Sequence, residues 1–368
     1  MNLPRSLPLR LSIPILLSVL ATSLLVRPLA AAEPAPIQPL SASAAATFWG
    51  SAEDTEPEKR NTFKSENEGQ HFLYCDELRL DLFEPALRNL GGGYVGVGSD
   101  QAYLFIGWMR PQLAWLSDYD GLVVRIHRIY HAFFAEADNP QAFVALWRDA
   151  KKGRAVIEQR LASDPELPRL LRLYAVQRPY VLRRLGFVIW RAGKSKVPTF
   201  LTAPDDYNYV RQLIAARRVR PLLGNLLSDK GLRGIGEVSR SLGVPIRALY
   251  ISNAEQYWAY TPGYRANISS LNFDAQSWIV RTNASKPSNG DYRYFLESAQ
   301  RFVSELSDAK IKSVGQVAPM VGIDDPHMIP LVTIAPDGKR KVRWADDYHK
   351  VPKTQSEAGT TAPAPAAP

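Results

Sequence analysis

The sequence predicts an α/β fold, a mostly parallel sheet with helices on both faces and a helical insert. Three observations predict it. Short apolar runs alternate with segments whose apolar residues recur at helical spacing. A glycine-rich turn follows the first such run, and 46% hydrophobic residues over 368 supply enough apolar surface for a large core.

Taken in order, Tyr94-Val95-Gly96-Val97 reads as the first strand and Gly98-Ser99-Asp100-Gln101 as its turn. Ser99 or Asp100 then caps a helix that runs to about Met109, where Arg110-Pro111 stops it, because the residue before proline is driven from helical geometry. Residues 112–116 form the second strand. Residues 121–137 place Val124, Ile126, Ile129, Tyr130, Phe133 and Phe134 at helical spacing, and Asn139-Pro140 ends that run. The pattern stays helical over about 141–200, broken at Asp164-Pro165, Leu167-Pro168 and Arg178-Pro179, which is the insert. A helix over 205–218, a short strand over 219–227 with a Gly224-Asn225 turn, and a helix over 231–243 follow. Strands are expected at 246–253 and 277–282, and a helix over 291–308. No repeat of fixed period is present.

The chain ends differ from this body. Arg5 and Arg10 precede an apolar run from Leu11 to Val26, and Ala30-Ala31-Ala32 offers small residues for cleavage. That layout predicts a signal peptide over 1–32 and an exported, periplasmic or extracellular protein; the run is short and contains Pro14, so a retained anchor is the alternative. Residues 33–60 read as a flexible linker, 61–350 as the folded domain and 351–368 as a disordered tail. Cys75 is the only cysteine, so an intramolecular disulfide is excluded. The net charge is +9, and removal of Arg5, Arg10 and Arg27 with the leader leaves +6. Basic residues cluster at 151–154, 183–196 and 216–220. Such runs are mostly solvated helix faces; for an exported chain, anionic lipid, cell-wall polymer or an anionic small molecule is a closer match than nucleic acid.

Gly96 and Gly98 let the backbone approach a ligand, and the helix start near Ser99 and Asp100 offers unpaired N–H groups. Asp118 comes 20 residues after Gly98, where nucleotide-binding folds place the acid that holds ribose hydroxyls, with Asp120 close behind. The third glycine of a dinucleotide fingerprint is missing, so pyrophosphate is disfavoured. His127 and His131 have metal-compatible spacing but no third ligand, and no metal is expected. No nucleophile elbow is present for serine hydrolase chemistry. The aromatic stretch 253–273, after a strand end, is the candidate second wall of a cleft.

This set resembles the Rossmann-like class I S-adenosylmethionine-dependent methyltransferase fold. The resemblance rests on the loop 94–101, Asp118 or Asp120, Gly224-Asn225 and Ile251-Ser252-Asn253. It implies S-adenosylmethionine as cofactor, held by Gly96, Gly98, Ser99, Asp100, Asp118, Asp120 and Asn225. Methyl transfer would then fall to Asn253, Glu255 and Tyr257. The strand end Ser252-Asn253-Ala254-Glu255 lacks the Asn/Asp-Pro-Pro-aromatic pattern of amino-group methylators. The overall pattern also resembles a group of uncharacterised exported bacterial proteins. The alternative to a methyltransferase is a non-enzymatic periplasmic or cell-surface binding protein on a degenerate scaffold. A small-molecule ligand is expected, nucleic acid is not, and a membrane contact is expected only through an uncleaved leader.

Overall fold

The computed structural model describes residues 36–57, 73–283, 290–319 and 321–346. The leader, most of the boundary at 60/61 and the C-terminal tail lie outside them. Contacts divide the chain at Pro36/Ile37, and the following concerns the second unit.

Strands β1 (Gly93–Gly96), β2 (Leu113–Asp118), β3 (Val219–Leu223), β4 (Ile246–Ser252), β5 (Trp278–Asn283), β6 (Arg293–Ser298), β7 (Met328–Ile334) and β8 (Arg340–Asp346) form one sheet. Their spatial order is β3-β2-β1-β4-β5-β6-β7-β8. The first five are parallel, β6 runs against β5, β7 lies parallel to β6, and β8 runs against β7. The expected neighbours 94–97, 112–116 and 246–252 pair side by side, as a Rossmann-like α/β fold requires.

The helices are α1 (Ala42–Trp49), α2 (Glu84–Leu87), α3 (Gln101–Met109), α4 (Gly121–Glu136), α5 (Pro140–Arg148), α6 (Ala150–Arg160), α7 (Leu167–Ser195), α8 (Pro204–Ala215), α9 (Gly231–Ser241), α10 (Pro262–Ser270), α11 (Ala299–Ser307) and α12 (Val314–Val317). Alternation along the strands sends Tyr94, Ala114, Leu116 and Tyr250 to one core, with α3 to α5, α7 and α8. Val95, Trp115, Leu249 and Ile279 face a second core against α1, α9, α10 and α11. The insert is therefore α5 to α7, all on the first face.

Four expectations change. Arg178-Pro179, expected to separate helical pieces, lies inside the unbroken α7, and neither Ser99 nor Asp100 caps α3 through its side chain. Residues 293–298, expected within a helix over 291–308, form β6, and the helix begins only at Ala299 with Ser298 as its cap. Every residue of Arg293–Ser298 is buried, so the run serves both faces of the sheet and its helical spacing is incidental. Within the expected linker 33–60, residues 42–49 form α1: Ser41 caps it, and Phe48 is fully buried against Trp115, with ring centroids 5.1 Å apart. Burial of one large aromatic outweighs the flexible composition around it.

Candidate functional site

In an open sheet of this order the ligand crevice lies where the strand order reverses, between the carboxyl ends of β1 and β4. Two loops and one earlier segment meet there.

The first loop is stitched to itself. Gly98 has φ +80°, and a Cβ on it would collide with the Gln101 amide. Gln101 donates to the Val97 carbonyl at 3.0 Å and accepts from the Ser99 N–H at 3.0 Å, satisfying a donor at the start of α3. Asp118 accepts from the Gly98 N–H through one oxygen and from the Asp120 N–H through the other, both at 2.9 Å. Asp120 caps α4 by accepting from the Leu122 N–H at 2.8 Å. His127 holds the back of the same turn. Its Nε2 lies 3.0 Å from the Gly98 carbonyl, which can only accept, so Nε2 carries the proton and Nδ1 accepts from the Tyr103 hydroxyl at 2.9 Å. Burial lowers the His127 pKa to about 4 and the His131 pKa to about 3, so both rings are neutral at pH 7. Among the described residues no three potential ligands gather for a metal.

Residues 73–79 lie across the crevice. The Ser99 hydroxyl donates to the Leu73 carbonyl at 3.0 Å, and the Cys75 N–H donates to Asp100 at 2.7 Å. The other Asp100 oxygen accepts from Arg184 of α7 at 2.8 Å, and Arg184 also donates to the Glu77 carbonyl at 2.9 Å. The Glu77 carboxylate, 1% exposed, sits at the ends of β4 and β5. It accepts from the hydroxyls of Ser252 at 2.7 Å, Thr282 at 2.6 Å and Tyr250, and from the Cys75 thiol at 3.1 Å. Burial raises the Glu77 pKa while these donors pull it back. Burial, then the charge of Glu77, pushes the Cys75 thiol well above its ordinary value, which opposes a thiolate nucleophile.

Beside this segment a cavity of about 20 Å³ remains between Leu78, Leu104, Trp108, Phe187 and Arg191. It has room for about one water, whereas small-molecule sites span roughly 300–1,000 Å³. The Arg191 Nε and one terminal nitrogen are buried without a hydrogen-bond partner; the group stacks 4.9 Å over Trp190, and burial lowers its pKa. An open groove of about 360 Å³ lies far from the crevice, between α1 and Ala216-Arg217 at the start of β3.

The expected second wall does not join this site. Arg281 and Thr282 are successive on β5 and point to opposite faces, so Thr282 meets Glu77 while Arg281 meets Glu255. Glu255, 2% exposed, accepts from the Tyr260 and Tyr264 hydroxyls at 2.7 and 2.6 Å and pairs with Arg281 at 3.0 Å. Arg281 also pairs with Glu297 at 2.9 Å. Asn253 donates to the Tyr257 hydroxyl at 3.3 Å at the surface. Asn225 donates its N–H to Asp54 at 2.9 Å, and its side chain accepts from the Leu227 N–H at 2.9 Å.

The structure thus brings Gly96, Gly98, Ser99, Asp100, Asp118 and Asp120 together and leaves Glu255 on the other face. As placed, these groups do not fit S-adenosylmethionine. Both Asp118 oxygens and the Gly98 and Ser99 N–H groups are bonded within the chain, a Cβ on Gly96 would meet the Tyr94 ring, and residues 73–79 are bonded to Ser99 and Asp100. The residues that dominate the crevice, Glu77, Arg184, Tyr250 and Thr282, were not singled out from sequence. For Glu77 the signal is the acid-leucine run Cys75-Asp76-Glu77-Leu78-Arg79-Leu80-Asp81 ahead of the first strand.

Against known proteins, no curated sequence matches the chain. A family profile described as "Domain of unknown function (DUF7790)" matches residues 72–328, more than half of the chain, and its first residues are those that cross the crevice. The chain belongs to the DUF7790 family.

Proposed function

We propose that the chain is an exported, non-enzymatic binding protein whose Rossmann-like scaffold is closed at its own crevice. The observation that carries this reading is Glu77. A buried carboxylate surrounded by four side-chain donors from three segments occupies the ends of β4 and β5, where an open fold of this class would receive a ligand. A nucleoside would have to displace residues 73–79, taking the Cys75 N–H from Asp100 and Glu77 from its hydroxyl donors on β4 and β5, and hydrogen bonds to charged groups are worth about 1.5–3 kcal/mol each. Export is supported by Arg5, Arg10, the apolar run 11–26 and the small residues that follow.

Calorimetric titration with S-adenosylmethionine and S-adenosylhomocysteine tests the closed crevice. No heat and no thermal shift at millimolar ligand are expected. Saturable binding that Asp118→Ala weakens about tenfold would reinstate the methyltransferase reading. N-terminal sequencing of protein from its host should begin near Glu33; an intact Met1 in a cytoplasmic fraction would remove the export part.

A further inference from the structure

The helix α7 spans 29 residues, about 43 Å at 1.5 Å per residue, and contains no aspartate or glutamate. Its inner face is buried through Leu170, Leu173, Tyr174, Val181, Leu185 and Val188. Its outer face carries a second pattern. Arg172, Val176, Tyr180, Arg183, Phe187, Trp190 and Lys194 follow one another at steps of three and four residues, so they form a single stripe. Within it Val176 is 61% exposed and Tyr180 38%, while Phe187 and Trp190 are half-buried and the cationic members are exposed. A Cβ on Gly186 or on Gly193, which flank the stripe, would meet nothing within 4 Å.

Apart from the buried Arg191, the cations of α7 divide into two sets. Arg184 is committed to Asp100, Arg169 pairs with Glu166, and Arg178 donates to the carbonyls of Trp147 and Arg148. Among the described residues no acid pairs with Arg172, Arg183 or Lys194, nor with Lys196 just beyond the helix. The stripe therefore alternates positive charge, paired by no described acid, with apolar and aromatic side chains along one partly exposed line, in which Tyr180 stacks on Tyr74 and Phe187 and Trp190 are half-buried.

We infer that this face of α7 docks on an anionic phospholipid surface. A helix of this kind lies in the interface, its aromatic and aliphatic groups entering the headgroup boundary while Arg and Lys stems reach phosphate. The helix lies on the bilayer and does not cross it: no described helix is long and apolar enough to span. The complementary charge is lipid phosphate, and the aliphatic Val176, 61% exposed, favours lipid over nucleic acid, whose bases stack on aromatic rings but offer an aliphatic side chain nothing to enter. This contact is one the leader does not supply. It goes beyond the closed-crevice reading and stands on a different surface, so the two fail separately.

The test is co-sedimentation of the full chain with vesicles of phosphatidylglycerol and phosphatidylcholine, against vesicles of phosphatidylcholine alone. Preferential binding to the anionic vesicles that weakens with added salt is expected. Arg172→Gln, Arg183→Gln and Lys194→Gln should each weaken it roughly fivefold, and the triple variant roughly a hundredfold. All three positions are exposed, so thermal midpoints should stay near that of the unaltered chain. The leader is common to every variant, so the differences report the stripe. Equal binding by all variants, or equal binding to both vesicle types, would overturn the inference. So would tighter binding to single-stranded DNA than to anionic vesicles, or a solution dimer broken by Arg183→Gln.

Discussion

Asp100 and Arg184 form an ion pair at 2.8 Å with side chains 1% and 5% exposed, and it joins the turn after β1 to the middle of α7. Asp100 also receives the Cys75 N–H, so one carboxylate links the sheet, the insert and the crossing segment. Removing one partner strands a buried charge. Arg184→Met should therefore cost about 3–5 kcal/mol, and adding Asp100→Asn should return part of that loss. Urea unfolding measures both; a single variant within about 1 kcal/mol of the unaltered chain would show that the pair is solvated.

Asp118 bonds two backbone N–H groups with two oxygens. Asparagine offers one acceptor and would turn its amide towards the second N–H. Asp118→Asn should lower stability by about 1–3 kcal/mol. Under the closed-crevice reading its effect appears in unfolding experiments and in no ligand titration.

His127 makes stability depend on pH in one direction. Its folded pKa, about 4, lies below the ordinary histidine value, so its contribution is present above about pH 6.5 and is lost as pH falls through about 4. The full loss is about 3 kcal/mol. Burial pushes Asp291 up to about 7, which acts oppositely: its contribution is present below about pH 4 and is lost as pH rises through about 7. Comparing His127→Gln with the unaltered chain isolates the first component. The variant should be less stable at pH 8, with the gap narrowing by about 3 kcal/mol towards pH 4. A gap independent of pH would mean that His127 protonates equally in both states.

Arg281 lies between Glu255 and Glu297, fully buried and 4.3 Å above the Phe302 ring. Arg281→Met should destabilise by about 3–5 kcal/mol, because two carboxylates lose their shared cation. Combining it with Glu255→Gln and Glu297→Gln should recover most of the loss. Recovery would show that the cluster is a structural brace.

The sheet was legible where period and punctuation agreed. Gly96-Val97-Gly98 before an apolar helix marked β1 and α3, and the apolar runs ending at Leu116 and Asn253 marked β2 and β4. Arg293–Ser298 was misread because a strand buried on both faces shows no alternation, and the following amphipathic helix lent it its own period. The acids Asp118 and Asp120 were found at their loop. What they hold was not legible, since a carboxylate bonded to its own backbone has the same spacing as one waiting for ribose. Glu77 was invisible to local pattern because its donors come from β4 and β5, far along the chain.

That separation has a consequence for how the protein comes into being. Thr282 follows Glu77 by 205 residues, and at ordinary ribosomal speeds of about 5–20 residues per second the interval is about 10–40 s. Throughout it, Glu77 has no hydroxyl from β5 to receive. The Glu77–Thr282 contact thus waits until all five parallel strands, β1 to β5, have been made. Until it forms, the segment 73–79 lacks its side-chain anchor on β5.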